Sequence, residues 1–234
     1  MTLVVIMAGG RGTRLHPLTE RTPKPMLRVG SKPILETILG RFIAQGFKQF
    51  VFSVNYRAEV IERYFGDGSR WGVSVAYVRE DRPLGTAGSL ARLLPRPGEP
   101  FIVANGDVLA DVDYRAMLRA HEKAGAVATV ALGLHQYQIP FGVPRVNDVG
   151  EVVRLDEKPI ENTAVAAGIY VLSPAVLAGL GLDGGRLDMP ELLGQLIEWG
   201  QEDGVPAVVT YPIEGHWIDV GRFEDLGRAN GVVG

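Results

Sequence analysis

Apolar positions in this 234-residue chain follow two alternating periods in the first half, and strand-like runs dominate the second. Leu3-Val4-Val5-Ile6 is an unbroken apolar run, the pattern of a strand buried on both faces. From 33 to 45, Ile34, Leu35, Ile38, Leu39, Phe42 and Ile43 recur at three- and four-residue spacing. This predicts an amphipathic helix ended by Gly46. Phe50–Val54 predicts a second strand, Ala58–Phe65 a helix stopped by Gly66, and Val73–Val78 a third strand. Thr86–Leu94 predicts a third helix, and Phe101–Ala104 a fourth strand that ends in Asn105-Gly106-Asp107. Strands separated by helices imply an α/β fold, Rossmann-like, with a mostly parallel central sheet flanked by helices. Ligands of such sheets gather at the carboxyl ends of the strands.

From residue 127 the pattern shifts to strands at 127–134, 142–146, 152–156 and 165–172, with helices at 189–199 and 223–229. Residues 163–182 carry no charge, and a run of about 20 such residues is the length of a bilayer span. Gly168, Ser173-Pro174, Gly179 and Gly181 interrupt it, so a buried strand and a short helix starting at Pro174 fit better than a membrane helix. Linkers, repeats and low-complexity segments are absent from the sequence. A single domain over 1–234 is expected, its halves merging near 126/127.

Apolar residues make up 46% and charged residues 22%, the balance of an ordinary globular protein. A net charge of −3 disfavours nucleic acid and anionic membrane as partners. The absence of cysteine excludes disulfides, a thiol nucleophile and a thiolate metal site. The chain enters its first strand without a basic leader, so a cytoplasmic location is expected.

Cationic groups are instead concentrated locally. The first strand opens into Gly9-Gly10-Arg11-Gly12, followed by Arg14 and by Lys24 in Pro23-Lys24-Pro25-Met26. Glycines let backbone N–H groups converge on an anion, and arginines bind phosphate oxygens in pairs. No Gly-Lys-Ser/Thr closes the loop, and it reads Gly9-Gly10-x-Gly12-x-x-Leu15 rather than Gly-x-Gly-x-x-Gly, so this loop is neither the P-loop nor the dinucleotide fingerprint. The string Ala8-Gly9-Gly10-Arg11-Gly12-Thr13-Arg14-Leu15 with Pro23-Lys24-Pro25-Met26 resembles the signature of sugar-1-phosphate nucleotidylyltransferases.

That resemblance covers essentially the whole chain and implies a nucleotide-binding half (about 1–126) and a β-rich sugar-binding half (about 127–234), with no appended β-helix domain. It implies that Ala8, Gly9, Gly10, Gly12, Thr13, Glu80, Gly85, Thr86, Asn105 and Gly106 bind the nucleotide. Gly142, Glu157, Lys158, Gly168 and Trp217 would bind the sugar phosphate, and Arg14, Lys24 and Asp107 would be catalytic. Asp107 and Asp219 would hold Mg²⁺, which favours one or two carboxylates plus substrate phosphates. Alone, Asn105-Gly106-Asp107 also reads as a turn, Asp219 as a turn or helix cap, and Trp217 as core. His121 and His135 read as structural.

The implied reaction joins an NTP and a sugar 1-phosphate into an NDP-sugar and pyrophosphate. The attacking phosphate has a second pKa near ~6 and is already anionic at neutral pH, so no general base is expected. Glu80 stands where pyrimidine-using relatives carry glutamine; a carboxylate suits the adjacent N1–H and N2 amine of guanine, which points to GTP. A solvent-facing Glu80 is the plainer alternative. Ala166 replaces the family's usual sugar-binding asparagine, leaving the sugar open, with Asn162 as a nearby substitute. The competing readings are a uridylyl- or thymidylyltransferase and a non-catalytic nucleotide-sugar-binding regulatory subunit. Asp111-Val112-Asp113 matches an Asp-x-Asp metal motif but stands where aspartates cap a helix. A homo-oligomer is compatible with the sequence.

Overall fold

A computed structural model describes residues 1–180, 185–203 and 207–233. The chain runs β1 (Leu3–Met7), β2 (Arg28–Val29), β3 (Lys32–Pro33), α1 (Ile34–Ala44), β4 (Gln49–Val54), α2 (Ala58–Phe65) and β5 (Ser74–Arg79). It continues with α3 (Gly85–Gly88), β6 (Phe101–Asn105), β7 (Val108–Ala110), α4 (Tyr114–Ala124), β8 (Ala128–Gln138), β9 (Gly142–Val146) and β10 (Val152–Glu157). β11 (Ile160–Leu172), α5 (Val176–Gly179), α6 (Met189–Asp203), β12 (Val208–Pro212), β13 (Trp217–Asp219) and α7 (Phe223–Val233) complete it. Among the described residues, no helix is long and apolar enough to cross a membrane.

Seven strands form the central sheet in the order β12-β8-β11-β6-β1-β4-β5. β1 pairs in parallel with β4 and β6, β4 with β5, and β8 with β12, whereas β11 runs antiparallel to both β6 and β8. The fold is therefore Rossmann-like with one reversed strand. β1 shows why its sequence reads as a continuous apolar run: Val4 and Ile6 enter the core on one face, and Val5 the core on the other. The first core holds Phe42, Phe47, Phe50 and Phe52; the Phe42 ring stacks on Tyr114 of α4 at 3.9 Å. The second holds Phe101, Val103, Tyr170 and Leu192.

Three expectations change. The helix expected over 86–94 is only α3 followed by a 3₁₀ turn at Ser89–Arg92, because the start of the segment is bound to the lead of α6. The N–H groups of Ala87 and Gly88 both donate to Leu187 O. The strand expected over 165–172 begins at Ile160, since Glu161, Asn162 and Thr163 pair with β8 despite their polarity. Beyond the sheet, β9 and β10 form a separate two-stranded ribbon that exposes Val146, Val152, Val153 and Leu155. Hydrophobic pattern alone does not separate such an arm from a core strand.

α4 follows the aspartates as expected: the Asp113 carboxylate accepts from Ala116 N–H at 2.7 Å, an N-cap. His121 on this helix is buried, with Nδ1 2.9 Å from Thr129 Oγ1 and Nε2 3.0 Å from Ser173 Oγ. Burial pushes its pKa below the ordinary 6.5. The unfolded chain then takes up the proton more readily than the fold, so stability must decline as pH falls through the ordinary histidine range. We predict a melting temperature that drops between pH 7.5 and 5.5, with a shallower drop in His121→Gln; equal slopes would contradict this assignment.

Candidate active site

The site forms where the carboxyl ends of β1, β4 and β6 meet. Ala8 N–H donates to Ser53 O (2.7 Å) and Gly106 N–H to Met7 O (2.9 Å), which holds the three strand ends level. The glycine loop then folds down onto the lysine segment. Gly12 has φ +62°, and a Cβ there would sit 2.9 Å from Lys24 Cβ and 3.1 Å from Thr19 Cγ2. The buried Thr19 hydroxyl fixes the turn by donating to Gly12 O at 2.8 Å. Only glycine tolerates both that φ and that approach.

Lys24 lies in a 3₁₀ turn and its side chain is buried. Its ammonium hydrogen-bonds Asp107 Oδ2 and lies 3.7 Å from Asp219 Oδ1. Asp219 reaches Asp107 because β13 pairs with β7: Asp219 stands opposite Val108, and Val220 N–H donates to Asp107 O at 3.0 Å. Burial, and then the charge of Asp107, push the Asp219 carboxyl above the usual carboxylate range, while Lys24 and Arg14 pull it back. Arg14 completes the cluster: its Nη1 and Nη2, like Asp219 Oδ1, lie 3.6 Å from where a Gly221 Cβ would be. Two carboxylates and two cations thus share one point at the loop.

A cleft of about 250 Å³ opens from this point. Ala8, Gly9, Gly10, Glu80, Gly85, Thr86, Asn105 and Gly106 line it together with Lys24 and Asp107. Gly12 and Thr13 lie outside its lining. Within it, several residues have structural partners that the sequence did not reveal. Glu80 is half-buried rather than solvent-facing: Ser53 Oγ donates to its Oε1 (2.8 Å) and Leu84 N–H to its Oε2 (2.9 Å). Each oxygen keeps a second acceptor position. Gly85 has φ +78°, and a Cβ there would meet Leu187 O at 2.5 Å. Thr86 N–H donates to Asp188 Oδ1 (3.1 Å), and its hydroxyl accepts from Met189 N–H (2.7 Å), so this pair also caps α6.

A second cleft of about 560 Å³ contains Arg14, Asp219 and Trp217, with Arg222 just before α7, Arg228 within it and the exposed His135 of β8. His135 is therefore at a cleft rather than in a structural position. Sequence reasoning passed over Arg222 and Arg228; Arg222 follows the Asp219 motif by three residues, which was the available signal. Larger clefts beneath 92–99 and beside α4 contain none of the expected site residues.

The sugar-side candidates fall into two groups. Gly168, at a β11 bulge with φ +73°, packs on Asn105, whose Nδ2 lies 2.6 Å from where a Cβ would be. Trp217 lies across Gly133 and donates from Nε1 to Ala167 O at 3.0 Å, so it is both a packing residue and a cleft wall. Gly142 and Glu157 face each other across the β9–β10 ribbon, followed by Lys158. Lys158 is a non-glycine residue before proline with φ +46°, held by its N–H to Phe141 O and by Gln138 Nε2 to its O, each 3.2 Å. Such a conformation costs roughly 1–3 kcal/mol and persists only where the surroundings impose it. Gly142, Glu157 and Lys158 line neither cleft. Asn162 is four residues along β11 from Ala166, roughly 13 Å at strand rise, too far to substitute at the same point.

Among the described residues, no three His, Asp or Glu side chains converge as a full metal cage. Lys24 engages Asp107 Oδ2 and Asp219 Oδ1, which leaves one hard oxygen on each carboxylate as a donor, the set of one or two carboxylates that fits Mg²⁺. Asp111 and Asp113 do not: Asp111 is bound to Arg41 and His216, and Asp113 caps α4. Placing a methyl group at residue 12 should displace Lys24. Gly12→Ala is therefore expected to lower nucleotide affinity at least tenfold, roughly one lost charged hydrogen bond, by calorimetry; wild-type affinity would contradict the packing argument.

The family model for nucleotidyl transferases matches residues 3–233. The chain is similar to a UTP–glucose-1-phosphate uridylyltransferase of Synechocystis sp., 32% identical over 96% of this chain and 61% of the relative. It is similar to a mannose-1-phosphate guanyltransferase of Yarrowia lipolytica, 33% identical over 95% and 61%. The chain thus spans 61% of the length of these relatives. Its fold matches HddC from Yersinia pseudotuberculosis complexed with GMP-PN, with a TM-score of 0.75 at 22% identity over the whole of both chains. With the family model matched over residues 3–233 and relatives 32–33% identical, the chain belongs to the nucleotidyl transferase family.

Proposed function

We propose that the chain transfers a nucleotidyl group from an NTP to a sugar 1-phosphate, releasing pyrophosphate. The observation that carries this reading is the Lys24 ammonium shared by Asp107 and Asp219 at the mouth of a glycine-lined cleft. The named activities of the two relatives support the substrate classes.

An oxygen of the acceptor phosphate forms a bond to the α-phosphorus, and the bond from that phosphorus to the bridging oxygen breaks. Both partners are anions, so the work is positioning and charge neutralisation. The backbone around Gly9 and Gly10 admits the phosphates closely. Arg14 and Lys24 neutralise the α-phosphate and the departing pyrophosphate. Asp107 and Asp219 would hold Mg²⁺, which supplies further charge neutralisation on phosphate oxygens. No side chain needs to remove a proton.

GTP is the proposed donor. Glu80 lines the cleft with its carboxylate fixed by Ser53 and Leu84, leaving acceptor positions for the two adjacent donors of guanine. The same two bonds also hold the 80–84 loop, and relatives of both base classes are known. Measuring pyrophosphate release for each NTP against a panel of sugar 1-phosphates separates the possibilities. Glu80→Gln should shift the GTP-over-UTP ratio of kcat/KM toward UTP by roughly tenfold, the value of one base-edge contact. An unchanged ratio with a lowered melting temperature would assign Glu80 to the loop alone. Asp219→Ala should lose more than about 100-fold in kcat while staying folded, the scale of losing one charge stabiliser. Full activity in that variant would overturn its role.

A further inference from the structure

β7 and β13 form a ladder of three residue pairs that is not part of the central sheet. One end is the reaction centre, where Val220 N–H bonds Asp107 O and Asp219 stands beside Asp107. A ladder this short has little intrinsic stability, so it is held by the core that buries Val108–Ala110, Ile218 and Val220 and by the fastening of its far end. That far end is fastened by Asp111. Its N–H donates to His216 O at 2.8 Å, and its Oδ2 lies 3.1 Å from His216 Nδ1. Its Oδ1 accepts from Arg41 Nη2 at 3.0 Å. Gly215 is pressed against it so closely that a Cβ would come within 2.6 Å of Asp111 Cβ.

Arg41 is on α1, whose first residue bonds back to the lysine segment through Ile34 N–H to Leu27 O at 2.9 Å. The same carboxylate therefore ties the helix that follows Lys24 to the strand that carries Asp219. Arg41 also has its Nη1 buried with no hydrogen-bond partner among the described residues, so its guanidinium depends on Asp111 for its bonding there.

We infer that Asp111 is a positioning residue: with Arg41 and His216 it clamps the β7–β13 ladder and so fixes Asp219 at the cation site. The inference rests on the reading of Asp107 and Asp219 as the metal-holding pair. Asp111 and His216 are substantially exposed, so their charge attraction contributes little to global stability. The clamp acts by orientation through the ladder rather than by bonding Asp219 itself, so its loss belongs at the lower end of the about 10- to 100-fold known for partners that bond metal ligands directly.

The test is a Mn²⁺ titration of the GTP-saturated protein, read by the electron paramagnetic resonance of free Mn²⁺, with melting temperatures measured alongside. Asp111→Ala should weaken Mn²⁺ binding about tenfold. His216→Ala, which alters only an exposed side chain, should shift it less and in the same direction. Asp111→Asn, which keeps an oxygen for Arg41, should recover most of the affinity. In turnover assays the Mg²⁺ requirement should rise in Asp111→Ala while the KM for GTP at saturating Mg²⁺ stays near wild type. If Asp219→Ala loses Mn²⁺ and both Asp111→Ala and His216→Ala bind it normally, the clamp is wrong. If Asp219→Ala itself binds Mn²⁺ normally, the metal reading underneath is wrong.

Discussion

A buried ammonium between two carboxylates is the constraint around which this molecule is arranged. Lys24 is withdrawn from water, and a lysine so placed keeps its charge only beside a partner. Asp107 supplies that partner from the end of β6, and Asp219 adds a second charge from a strand more than 100 residues later. Three stretches distant in sequence must therefore meet within a few ångströms. The parallel strands bring the first two together, and the small β7–β13 ladder brings the third.

The same constraint explains the glycines around the centre. Gly12 is where the loop descends onto Lys24, and Gly168 is where β11 bulges against Asn105. Both positions have φ near +60 to +75°, where side chains are disfavoured. Lys24 and Thr19 fill the space a side chain would need at Gly12, as Asn105 and Val108 do at Gly168. Burial and the charge of Asp107 raise the Asp219 pKa, while the Lys24 and Arg14 cations offset the two carboxylates.

Much of the fold was legible because β1 and the helices carry clear periods: α2 coincides with its predicted span, and α1 and β4 differ from theirs by a residue or so at the ends. The glycine loop and its nearby cations were legible as a local anion-binding pattern, whereas Asp107 and Asp219 were singled out only by the family resemblance, since each alone also reads as a turn or cap. Long-range partnerships were not. Nothing in the sequence indicates that Gly85 and Thr86 pack against Leu187 and Asp188, or that Glu80 is held by Ser53 and Leu84. The protruding arm of β9 and β10 was readable as strands but not as exposed. His135 looked structural, and only its place on β8 past the stretch that pairs with β12 puts it at a cleft.

The central claim is that these side chains position and neutralise, and never bond to phosphorus. Isotope exchange tests it most directly: labelled pyrophosphate is incubated with the protein, GTP and Mg²⁺, with and without the sugar nucleotide. Direct transfer predicts label in GTP only when the sugar nucleotide is present. Label entering GTP without any sugar compound would require a nucleotidyl-enzyme intermediate and would contradict the account.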